Sequence, residues 1–261
     1  MTLLNQVVYF DLRERVAYDP RREATFMSIH SVRAIEQLKR HLLQVSTRVE
    51  EALRHAVEAL EKRDFDLAIR VTEGDRHIDE LEVDVEEECL KLLALFQPVA
   101  ADLRFIVAVL KINNDLERVG DLAVNIAERA AFLAKQKPVN LPFKFKAMTE
   151  KAQWMLKGAI DALVNGDPER AWAVIAADDE VDAMNREMYT LVQDGIRANP
   201  DQMNSLIHML SISRHLERIA DQATNIAEDV IYMVEGEIVR HRVEKYLPER
   251  EAAAAQSQAN R

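Results

Sequence analysis

The run Leu116-Glu117-Arg118-Val119-Gly120-Asp121 returns 100 positions later as Leu216-Glu217-Arg218-Ile219-Ala220-Asp221, and Asn125-Ile126-Ala127-Glu128 returns as Asn225-Ile226-Ala227-Glu228. A match of this length in fixed register marks a duplicated unit, so the chain must fold as two copies of one plan. Within each copy the pattern is helical. At about 100° per residue, Val109, Ile112, Leu116, Val119, Ala123, Ile126 and Ala127 share one side. The second copy repeats this with Met209, Ile212, Leu216, Ile219, Ala223, Ile226 and Val230. With 6 Gly and 7 Pro among 261 residues, the chain has few places to turn. Long helices follow.

The first helix is expected over about 30–62, from Ile35, Leu38, Leu42, Val45, Val49, Leu53, Val57 and Leu60 at spacings of three and four. Asp64 is a natural N-cap for a second helix over about 65–95. Gln97-Pro98 interrupts, and Pro98 suits the opening turn of a third helix over about 99–135. Two prolines in Lys135–Pro142 exclude a continuous helix and mark the linker. The plan then repeats: a fourth helix over about 143–164, a fifth over about 168–197 capped by Asp167, and a sixth over about 202–235 closed by Gly236. The second helices also align, at an offset of 103, with Asp64, Ala68, Val71, Asp75 and Asp79 matching Asp167, Ala171, Val174, Asp178 and Asp182. The fold class is therefore all-α: two homologous antiparallel three-helix bundles, at 28–135 and 143–240. Residues 1–26 lack periodicity and are expected to be a flexible extension, or to precede a true start at Met27. The Ala- and Gln-rich stretch within 241–261 reads as a disordered tail.

Acidic rows run opposite the apolar ones. Glu117, Asp121, Asn125 and Glu128 lie together on the third helix, and Glu217, Asp221, Asn225 and Glu228 on the sixth. The second helix adds Asp75, Asp79, Glu82 and Glu86, and the fifth adds Asp178 and Asp182. A polar row on its own is what any solvated helix face shows. Two facts ask for more. Like charges at i,i+4 repel unless a cation lies between them. And the copies keep Glu, Arg, Asp, Asn and Glu while diverging around them, at Asn114/Arg214, Asp115/His215, Leu122/Gln222, Val124/Thr224 and Arg129/Asp229. If neighbouring helices are antiparallel, Asp75 and Asp79 face Glu117 and Asp121, and Asp178 and Asp182 face Glu217 and Asp221. Such all-oxygen sets suit Mg, Mn, Ca or iron rather than structural zinc. Glu82, Asn125, Glu128, Asn225 and Glu228 stand by as supporting groups. Arg118 and Arg218 flank the patches, and an ordinary surface ion pair is their plainest role.

A net charge of −11 argues against nucleic acid as a partner. A single cysteine, Cys89, permits no internal disulfide. No apolar run approaches a membrane span, and residues 1–26 carry no apolar signal core. A cytoplasmic protein without membrane insertion is expected. No Gly-rich phosphate loop, nucleophile elbow or Cys/His cluster is present, so no catalytic residues are assigned. A carboxylate-bridged metalloenzyme and a purely structural bundle are the alternatives to a regulatory adaptor. Di-iron bundles use inward Glu-x-x-His, which the rows lack.

The stretch Gln97-Pro98-Val99-Ala100-Ala101-Asp102-Leu103-Arg104, with Asp115 through Glu128 and His215 through Glu228 followed by Ile231-Tyr232, resembles the PhoU family over roughly 28–240. The resemblance implies two similar three-helix bundles whose E/DxxxD pairs hold metal ions, Fe, Mn or Mg, often as multinuclear iron clusters in relatives. It implies a negative regulator of phosphate uptake and of the phosphate-starvation response. Such a protein acts as an adaptor between the phosphate ABC transporter, through its ATPase subunit, and a PhoR-type sensor histidine kinase. Homodimers are common among such proteins. The family's usual glycine is Ala220 in the second copy.

Overall fold

A computed structural model describes residues 29–139, 143 and 145–240, and the expectations for residues 1–26, for 241–261 and for part of the linker fall outside them. Seven α-helices follow in order: α1 Ile29–Lys62, α2 Phe65–Phe96, α3 Ala100–Ala134, α4 Phe145–Asn165, α5 Pro168–Ile175, α6 Asp178–Ala198 and α7 Met203–Glu235. One 3₁₀ turn, Pro200–Gln202, precedes α7. The two-copy plan is visible directly. α1, α2 and α3 pack together, α4, α5 and α6 pack around α7, and α3 and α7 lie against each other at the centre.

The caps explain the boundaries. Asp64 accepts from the Leu67 N–H at 2.9 Å, and Asp167 accepts from the Arg170 N–H at 3.1 Å. These are matching N-caps at the matching position of each copy. Gly236 ends α7 at φ 79°, its N–H donating to the Tyr232 carbonyl, as an αL residue past a helix end should. The turn between α2 and α3 differs from expectation. Gln97 ends α2 in the left-handed region at φ 46°, and Pro98 and Val99 precede α3 rather than opening it.

The expected fifth helix is two helices. At Ala176-Ala177 the hydrogen bonding tightens: the Ala177 N–H donates to Val174 and the Glu180 N–H to Ala177. No Pro or Gly stands there. The new helix instead opens on Asp178, Asp179 and Glu180, three acids at the end of a helix where partial positive charge favours them.

The apolar side of every helix meets in one core shared by both copies. Leu38, Leu53, Ile112, Leu116, Ile126, Met155 and Ile212 are all essentially inaccessible. A smaller cluster of Met188, Val192 and Leu206 caps the α6–α7 end. Cys89 is buried, and burial pushes its thiol up to about 12, so it acts as a small apolar group. Trp172 joins the core, whereas Trp154 is half exposed beneath the Lys151 ammonium.

Candidate functional site

Two contacts fix how α2 faces α3. The Asn113 amide donates to the Glu82 carbonyl at 2.9 Å and to its carboxylate at 3.3 Å. Two turns on, Gly120 lies against Ile78 and Asp75, an added Cβ falling 3.7 Å from Asp75 Oδ1. The helices are thus antiparallel in a register that sets Asp75 beside Asp121 and Asp79 beside Glu117. The second copy keeps the register with other chemistry: the Ser213 hydroxyl donates to Asn185 Oδ1 at 2.8 Å, so that α6 sets Asp178 beside Asp221 and Asp182 beside Glu217.

The carboxylates feel one another. Asp75 is raised to about 6 by partial burial, then by Asp79 and Asp121. Glu117 is raised by burial, Asp121, Glu82 and Asp79. In the second copy, Asp178 is raised to about 6 by burial, Asp221 and Asp182, against a lowering by the Thr224 hydroxyl. Glu217 and Asp221 shift upward for the same reasons. These are like charges held together on facing helices, offset only in part by Arg118, Arg186, Arg214 and Arg218.

The donor set matches a hard cation in three respects. Every member is oxygen, Asp75, Glu117, Asp178, Glu217 and Asp221 are pressed toward their neutral forms by burial and then by neighbouring carboxylates, and Asp178 Oδ1 is buried without a hydrogen-bond partner. As the side chains are placed, no three Asp, Glu, His or Cys groups among the described residues converge closely enough to share one ion. The rows are therefore open acidic faces rather than closed cages, and Arg186 reaches one member, Asp182, at 3.4 Å.

The supporting residues are placed more variously. Glu82 is engaged by Asn113. The Asn125 side chain turns back to the Asp121 carbonyl at 2.8 Å. Asn225 is half-buried. Glu128 pairs with Arg129 at 2.8 Å, and Glu228 is buried with Arg240 at 3.5 Å. Both terminal glutamates are thus committed to arginines at the contact between α3 and α7. Arg118 lies 3.7 Å from Asp115.

That contact is where motif reading stops short. The Lys111 ammonium meets Asp229 at 3.0 Å, and the rings of Phe132 and His208 stack with centroids 3.9 Å apart. These pairs make α3 and α7 antiparallel about a local pseudo-twofold near Leu122 and Gln222. Positions 115, 122 and 129, each seven apart, and their copies 215, 222 and 229 line this seam. They are among the positions where the two copies diverged. At one end Asp115 is raised to about 6 by burial and by Asp229, against Arg118, Arg240 and Lys111. Arg240 also reaches Asp229 at 3.3 Å, closing a cavity of about 110 Å³ beside Lys111 and Tyr232. At the other end, burial and the charges of Arg129, Arg218 and Arg214 push His215 down to about 4. The signal for this seam was present in the sequence as seven-residue spacing among the diverged positions.

A duplicated three-helix unit, carrying facing carboxylate rows in each copy and joined back to back through its third helices, defines a class of paired-bundle helical proteins with acidic faces. The PhoU domain model matches residues 42–130 and 145–230, one match per copy, and the chain belongs to the PhoU family. The phosphate-specific transport system accessory protein PhoU homolog of Aquifex aeolicus is 39% identical over 208 residues, covering 80% of this chain and 94% of that protein. The homolog of Caulobacter vibrioides is 36% identical over 216 residues, covering 81% and 94%. The crystal structure of PhoU from Pseudomonas aeruginosa superposes with a TM-score of 0.76 at 34% identity, covering 79% of this chain and 99% of that one. The phosphate transport system regulatory protein PhoU from Streptococcus pneumoniae gives 0.72 at 27%, covering 80% and 99%. Among the described residues no helix is long and apolar enough to cross a membrane.

Proposed function

We propose that this protein is an accessory regulator of phosphate transport that restrains uptake and holds the phosphate-starvation response off when phosphate is plentiful. It works from the cytoplasm, as an adaptor between the ATPase subunit of a phosphate ABC transporter and a PhoR-type sensor histidine kinase. The observation that carries this reading is the separate family match to each copy, over the helices that bear the acidic rows. Relatives named as accessory proteins of phosphate-specific transport, matched over most of their length, support it. Long exposed helix faces suit an adaptor: they offer continuous surface and need no reaction centre.

Cation loading of the rows is part of the proposal. Asp75, Asp79, Glu117 and Asp121 would hold ions in the first copy, and Asp178, Asp182, Glu217 and Asp221 in the second. Bound cations, iron, manganese or magnesium, would supply positive charge between repelling carboxylates and so draw the facing helices together. The rows lack Glu-x-x-His and lie away from the core, which favours a structural or regulatory ion over redox catalysis. Assembly as a homodimer belongs to the same proposal, and sedimentation of the full chain tests it.

The regulatory reading is tested in cells. Deleting the gene should leave alkaline phosphatase expressed in high phosphate, and the full-length gene in trans should restore repression. Unaltered repression in the deletion strain would count against the adaptor role.

A further inference from the structure

The turn between α2 and α3 carries a cluster of apolar side chains that face water. Leu90, Leu95 and Phe96 close α2, Val99 precedes α3 and Leu103 follows in its first turn, and all are exposed, Leu95 by 73% and Val99 by 63%. The hydrogen bond from Asn113 to Glu82 sets Leu103 level with Leu92. The five therefore gather at one end of the α2–α3 pair. Single exposed apolar residues are ordinary, whereas a cluster of them marks a contact. The duplication supplies the comparison. At the offset of 103, Gln193 answers to Leu90 and Asn199 to Phe96, and only Leu103 keeps a large apolar counterpart, Met203. The turn before α7 carries Asp194, Arg197, Asn199 and Asp201. The same plan thus folds with a polar turn, so the helices do not require an apolar one. The apolar turn is also strained: Gln97 and Ala100 have φ of 46° and 49°, a region that residues with a Cβ seldom adopt.

The charge distribution decides what can meet this end. From Cys89 to Ala101 there is no Asp or Glu, and Lys91 within that stretch is paired with Glu87 at 2.8 Å. In a chain of net charge −11, two copies repel wherever their carboxylates approach. An acid-free end is where they can close. A twofold contact must also match itself. An apolar patch does so, whereas a charged patch would meet its own sign. The Lys111–Asp229 and Phe132–His208 contacts run α3 and α7 antiparallel, so the polar turn lies at the opposite end and offers Asp194 and Asp201 to any copy that approaches. The acidic rows stay clear of the apolar end. Asp75, 21 residues before Phe96, lies about 30 Å away along α2.

We propose that two copies of this chain join end to end through their α2–α3 turns, about a twofold axis, with Leu95 and Val99 of each copy at the centre and Phe96 and Leu103 around them. The inference rests on the homodimer of the proposed function and assigns its surface. Five partly exposed side chains present less than the ~800 Å² per partner of a standard interface, so the pair dissociates on dilution.

Sedimentation velocity of the full chain over a range of concentrations should show monomer giving way to dimer. Leu95→Glu with Val99→Glu sets acids against acids at the axis and should raise the dissociation constant at least tenfold. Helical circular dichroism should be unchanged, because both positions are exposed. Met203→Glu, exposed at the opposite end, should leave the constant as it was. Leu95→Cys should be joined to its own copy by a short bismaleimide, whereas the native chain, whose one thiol at Cys89 is buried, should not. A native chain that stays monomeric at every concentration would remove the homodimer and this surface together. A dimer as tight in the Leu95→Glu, Val99→Glu variant as in the native chain, or one that Leu95→Cys fails to cross-link, would overturn the surface and leave the homodimer standing. None of these results bears on repression measured in cells.

Discussion

Asp115 lies near the Arg118 guanidinium and against Asp229, and burial holds its carboxyl up to about 6. Its charged form is therefore less favourable in the fold than in the unfolded chain, where the group ionises near its ordinary value. The contribution to stability is fully present below about pH 4 and is lost as pH rises through about 6. Asp115→Asn removes the ionisation while keeping the shape. At about 1.4 kcal/mol per pKa unit, and after losing a weak contact to Arg118, the variant should be more stable than the native chain by about 1–2 kcal/mol near pH 7.5. It should show little advantage near pH 4. Urea unfolding of both proteins across that range checks this; parallel pH profiles would contradict it. Asp75 and Asp178 behave similarly but sit in the acidic rows, so their effect should vanish when cations are bound.

At the scale of helices, the apolar spacing and the two aspartate N-caps were enough to place most of the rods and to bring the facing rows into register. The break at Ala176-Ala177 was not legible. Neither a proline nor a glycine announces it, and the run of acids that starts α6 reads equally well as a solvated mid-helix face. Close helix approach was also invisible. Gly158 on α4 faces Val174 on α5 so tightly that an added Cβ would fall 2.8 Å from Val174 Cγ2. Val174 is fully buried and β-branched, with little freedom to turn away. Gly158→Ala should thus destabilise by about 1–3 kcal/mol, despite the helix propensity gained by losing a glycine. Thermal unfolding gives the sign directly, and a stabilised variant would mean that α4 and α5 are less closely packed than described.

For the whole molecule, the duplication fixed the architecture before any contact was known, because one helical unit repeated at fixed register leaves few ways to share a core. What it left hidden was how the copies meet. The constancy of Glu117, Asp121, Glu217 and Asp221 beside drifting neighbours pointed to the acidic rows, yet the drift has a second cause. Across the pseudo-twofold Asp115 lies by Asp229 and Arg129 by His215. A change in one copy therefore alters the charge at one end of the seam only. The result is one end of matched ion pairs and one end rich in arginine. The acidic rows lie off this seam in both copies, and their carboxylates, raised by burial and then by one another, persist in both.

The claim that these rows are equivalent cation sites is the centre of the account, and elemental analysis tests it most directly. Glu117→Ala with Asp121→Ala should lower the metal bound per chain, Glu217→Ala with Asp221→Ala should lower it comparably, and all four together should abolish it, with helical content preserved throughout. Metal content unchanged in the fourfold variant would contradict the claim.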